Sequence, residues 1–174
     1  KPMRYGRLRL GSASGSSLLP LYVPVEAQYW SGTSSSFLTN TDDNCTALAS
    51  ANIGLGNIIG GVVTSVTAVT SPLQKGRGTV TLAKPTGGAS GSIDVAVNLG
   101  PVPPGTGTAD ACPYPPGTPF TPAATAANTS YLRGLWCVPA VPPGTYTKDP
   151  STRARFGIRR GSDETIYTRE NPAN

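Results

Sequence analysis

The sequence predicts an all-β fold, an antiparallel β-sandwich-like domain with a long proline-rich irregular excursion. Three observations predict it. Gly and Pro contribute 21 and 18 of the 174 residues, and only 13% of positions are charged. Such a mixture is poor in helix formers and rich in turn residues. Several short stretches also alternate apolar and polar residues with period two, as half-buried strands do. Finally, the turn signals between those stretches recur at the spacing of sandwich strands. The length suits one domain that buries about 70% of its unfolded surface, and residues 1–174 are read as that domain.

The first strand is expected over residues 3–10, with Met3, Tyr5, Leu8 and Leu10 brought to one face by a glycine bulge at Gly6-Arg7. After a Gly/Ser connection, residues 18–30 alternate through Leu19, Leu21, Val23, Val25, Ala27 and Tyr29. Pro20 and Pro24 share the opposite parity and remove backbone donors from one edge, so this segment reads as an edge strand or as a strand with one edge facing irregular chain. A short strand over 37–41 precedes the polar turn Asp42-Asp43-Asn44. The Gly54-Leu55-Gly56-Asn57-Ile58-Ile59-Gly60 stretch departs from G-x-G-x-x-G and reads as a structural turn. Strands are expected over 62–70, 79–83 and 93–99, with Lys84-Pro85-Thr86-Gly87-Gly88 as a turn.

Residues 100–130 carry eight prolines and read as a surface excursion with polyproline character. Leu132, Leu135 and Trp136 then provide apolar surface to dock back on a sheet. The chain closes with a hairpin pattern: a first arm at 154–158, the turn Arg160-Gly161-Ser162-Asp163, and a second arm at 165–170.

Chemistry is scarce. Without a histidine, the usual Ser-His-Asp and Cys-His arrangements are excluded. Asp42, Asp43 and Asn44 lack the ligand spacing of a calcium loop, and nothing brings Glu26 and Glu170 together as paired carboxylates. No C-x-x-C is present, so zinc is not expected, nor is any other metal or cofactor. Cys112 and Cys137 flank the proline-rich stretch and are read as a disulfide, with Cys45 pairing with one of them as the rival. Trp30 and Trp136 are the candidate surface-binding aromatics, set against ordinary packing.

The net charge is +5, and nine of the 14 basic residues lie near the two ends. Pairing of those ends would make a basic stripe. Neither a groove-reading helix nor an aromatic platform accompanies it, so nucleic acid is not the expected partner. No apolar run is long enough for a membrane span. A start at Lys1 is expected of a piece processed from a longer precursor.

Both ends of the chain resemble the C-terminal region of MshQ-like proteins of mannose-sensitive haemagglutinin pili. The residues that carry the resemblance are Arg4-Tyr5-Gly6-Arg7-Leu8-Arg9-Leu10 with Ala27-Gln28-Tyr29-Trp30, then Thr39-Asn40-Thr41-Asp42-Asp43-Asn44-Cys45-Thr46, then Ala154-Arg155-Phe156-Gly157-Ile158. The resemblance implies an extracellular, surface-anchored or pilus-linked bacterial protein of which this chain is the C-terminal portion. The function expected is non-enzymatic and structural: the strand-like first segment suits a filament subunit that lends its N-terminal strand to the next copy, or else the chain is a pilus-associated module that does not polymerise. A carbohydrate- or surface-binding adhesin module is the alternative.

Overall fold

The computed structural model describes residues 5–32, 36–100, 129–134 and 149–157. Nine strands are found among them: β1 (Gly6–Leu10), β2 (Ala13–Gly15), β3 (Leu21–Trp30), β4 (Phe37–Thr39), β5 (Ile53–Ile59), β6 (Val66–Val69), β7 (Arg77–Leu82), β8 (Gly91–Val97) and β9 (Ser151–Phe156). They form two sheets, ordered β1-β3-β7-β6 and β2-β9-β8-β5, with β4 on the edge of β3 beyond β7. All pairings are antiparallel except β2 with β9. The inner faces meet in one core, where Leu8, Val23, Val25, Val80 and Leu82 oppose Ile93, Val95, Val97, Ala154 and Phe156.

Reading β1 and β2 as one first strand that switches sheets, this is the strand order of a constant-type immunoglobulin sandwich. The switch falls at Gly11-Ser12, where the chain leaves β3 and crosses to β9.

The expected sandwich is present, but three local readings differ. First, β1 has no bulge: pairing runs unbroken from Gly6 opposite Tyr29 to Leu10 opposite Val25. Leu8 and Leu10 are buried as expected, whereas Tyr5 lies on the outer side with its ring against Phe37. The alternation simply continues through Gly6, and Tyr5 shares its parity with Arg7 and Arg9. Met3 lies outside the described residues.

Second, β3 is central rather than an edge, flanked by β1 on one side and by β7 and β4 on the other. The proline argument holds for one half of one side only. Pro24 accepts the Gly11 N–H through its carbonyl at 2.8 Å, so its missing donor points to the side where β1 has already ended. Third, the glycine-rich stretch is strand β5 rather than a turn. Its pairing with β8 is interrupted between Gly56 and Ile59, and Asn57 takes φ 49° there. Glycine weakens a strand locally, yet the ladder on β8 outweighs it.

Of the expected closing hairpin, residues 154–156 of the first arm lie in strand β9. Ala154, Arg155 and Phe156 pair with β2 on one side and β8 on the other. Both edges of these residues are occupied. Residues 165–170, and most of the proline-rich stretch, lie outside the described residues.

Candidate functional site

Three constellations draw together the reactive and charged side chains. The first is a pair of buried ion pairs. Asp94 on β8 stands opposite Arg153 on β9, and Arg153 Nε donates to Asp94 Oδ1 at 2.7 Å. Asn57 Nδ2 adds a bond to Asp94 Oδ2 at 2.9 Å, reaching in from the irregular part of β5. Gly56 is the cross-strand neighbour of Asp94, leaving room for these groups. Arg133 forms the second pair, donating from Nε to Asp149 Oδ1 at 2.9 Å. Arg133 also donates to the Gly100 carbonyl, and the Leu99 N–H donates to Asp149 Oδ1. This second pair fastens the described ends of the long β8–β9 connection to one another.

The second constellation is an end of the sandwich where loops are laced together. Asp43 Oδ1 accepts the Cys45 and Thr46 N–H groups at 3.1 and 2.9 Å, and Thr46 Oγ1 donates to Asp43 Oδ2. The polar turn expected at 42–44 is therefore present, with Asp43 making an Asx turn. Asn44 Oδ1 accepts from Lys75 N, and the Gly76 N–H donates to the Asp43 carbonyl. Burial pushes the Asp43 carboxyl up, but the bonds from Thr46 and Cys45 more than offset this and leave it below its ordinary value. A cavity of about 400 Å³ opens here beside Tyr29, Asn40, Asp42, Cys45 and Tyr131. Cys45 is exposed and makes no disulfide among the described residues. Cys112 and Cys137 lie outside them.

The third is the outer face of the first sheet. Residues of one parity on β3 point outward: Tyr22, Pro24, Glu26, Gln28 and Trp30. Register places Arg7 and Thr39 beside Gln28, and Arg9 and Arg77 beside Glu26. Arg7 donates to Gln28 Oε1 at 2.8 Å while its guanidinium lies 3.6 Å over the Phe37 ring. Gln28 Nε2 donates to Glu26 Oε2 at 2.7 Å, and Thr39 Oγ1 donates to Glu26 Oε1. Burial raises the Glu26 carboxyl, yet the bonds from Thr39 and Gln28, reinforced by Arg77 and Arg9, hold it below its ordinary value. Trp30 remains 44% exposed at one end of this face and Tyr22 60% at the other.

Of the residues anticipated as functional, Leu8 and Leu10 are core and Tyr5 donates its hydroxyl to the Arg133 carbonyl. Trp30 is on the surface, and Trp136 lies outside the described residues. Of the basic residues near the two ends, Lys1, Arg4, Arg159, Arg160 and Arg169 lie outside the described residues, and among those described Arg7 and Arg9 sit on β1, which pairs with β3. Arg153 is spent inside with Asp94, while Arg9 flanks Glu26 on the side opposite Arg77 of β7. That last arginine carried no sequence signal linking it to β1. The outward residues of β3 are visible in the alternation, and the sequence singles out Pro24, Glu26 and Trp30 among them.

These features define an immunoglobulin-like module with a polar, aromatic outer sheet face. The family described as DUF6701, fourth domain, matches residues 4–171, and the chain belongs to that family. No curated protein and no solved structure matches the chain.

Proposed function

We propose that the chain is a non-enzymatic structural module of an extracellular, pilus-associated bacterial surface protein. The observation that carries this is what the acidic side chains do. Asp94 and Asp149 are closed into ion pairs that hold β8, β9 and the connection between them, and Glu26 is bound by Thr39 and Gln28. Groups so committed serve a scaffold better than proton transfer. The family description, a fourth domain, agrees with one unit in a series.

Assembly by strand exchange would require β1 to leave the groove in which Leu8 and Leu10 are buried against its own β3. The closed sheet favours a module whose first strand stays in its own chain. Immunogold labelling of intact bacteria with antibody to the chain tests the location. Label along the surface or its appendages is expected, and label only after permeabilisation overturns the proposal.

A second reading, a carbohydrate- or surface-binding adhesin module, is favoured by one observation: Trp30 is exposed on the arginine-bearing sheet face.

A further inference from the structure

Along β3 the outer face is built in rows. Tyr5, Trp30 and Phe37 make the first, then Arg7, Gln28 and Thr39, then Arg9, Glu26 and Arg77, then Pro24 with Thr79, then Tyr22 with Thr81. Aromatic rings thus stand at both ends of a strip about 26 Å long, at roughly 3.3 Å per residue. Three arginines share the strip with a single glutamate among the described residues. Arg9 and Arg77 are exposed on either side of Glu26, and a cavity of about 280 Å³ lies there with Pro24 in its wall.

We propose that this face binds an acidic polysaccharide laid along β3, with Arg9 and Arg77 taking its carboxylates and Tyr22 and Trp30 stacking on its sugar rings. The proposal rests on the binding reading above and names the ligand class. Guanidinium forks match planar carboxylates, and exposed rings offer apolar faces to sugars. A nucleic acid fits less well. Its closely spaced phosphates call for many cations in register, and here a carboxylate stands in the middle of the row.

The test is binding of the purified chain to polygalacturonate and alginate, with dextran and a single-stranded oligothymidylate as the other arms. The acidic polysaccharides are expected to bind, and to weaken as salt rises from about 50 to about 500 mM. Replacing Arg9→Ala and Arg77→Ala together is expected to lower affinity about ten-fold or more. Arg9→Lys with Arg77→Lys keeps the charge but loses the fork, so an intermediate loss is expected. Trp30→Ala should also weaken binding, whereas Arg155→Ala, an exposed arginine of the other sheet, should change it less than about two-fold. Circular dichroism confirms that each variant is folded. Equal losses from Arg155→Ala and the double variant overturn the proposal, as does preference for oligothymidylate. Binding to dextran as tight as to polygalacturonate overturns the acidic ligand class but leaves a carbohydrate module standing. Binding to none of the four overturns both.

Discussion

Asp94 and Arg153 face each other across β8 and β9, joined at 2.7 and 3.2 Å where Asp94 has no exposure to solvent. The geometry is the two-pronged guanidinium–carboxylate contact, and Asn57 takes up a further lone pair. Burial makes this pair costly to break rather than strongly stabilising in itself.

Removing one partner takes from a buried charge the counterpart that offsets its burial. Asp94→Ala or Arg153→Ala alone should therefore cost about 3–5 kcal/mol in urea unfolding. Replacing both with apolar residues of similar size, as in Asp94→Leu with Arg153→Met, should recover most of that loss. A double variant as unstable as the sum of the singles would contradict this account.

Thr152, next in the chain, turns its side chain to the core opposite Val95 and is 1% exposed. Its hydroxyl has no hydrogen-bond partner among the described residues. Valine has nearly the same shape without the polar atom. Thr152→Val should stabilise the fold by about 1 kcal/mol, read from the urea midpoint at unchanged slope.

The turn at Asp43 predicts a pH dependence. Its folded carboxyl lies below the ordinary value because Thr46 and Cys45 donate to it, against the opposing effect of burial. A depressed carboxyl contributes stability that is present above the unfolded value, about 4, and is lost as pH falls through the lower folded value. Asp43→Asn should thus be less stable than the parent at pH 7. The gap should narrow as pH falls below about 4.

Gly76 binds the same turn to the sheet. It takes φ +73°, and a side-chain carbon added there would press on the Asn40 carbonyl. Gly76→Ala should cost more than about 1 kcal/mol, since both the left-handed backbone and the contact oppose it. Thermal unfolding measures this directly.

The sandwich was legible because its strands alternate over several residues, as β3 and β8 do. What escaped sequence reasoning depends on partners far along the chain. The glycines of β5 read locally as a turn, and only β8 makes that segment a strand. Local signals give a strand at Ala154 but not its neighbours β2 and β8, which hold both of its edges. A sequence cannot display that occupancy. The candidate face was half visible. The outward parity of β3 gave Tyr22, Glu26, Gln28 and Trp30, whereas Arg9 and Arg77 meet only through register on opposite sides of β3.

Hydrogen exchange of the amides of residues 6–10, followed in dilute monomeric protein, is the most direct test of a self-contained module. The amides of β1 bonded to β3 should be protected about as well as those of β7, whatever the protein concentration. If they exchange freely in the monomer and gain protection only as copies associate, the first strand belongs to a neighbour and the account fails.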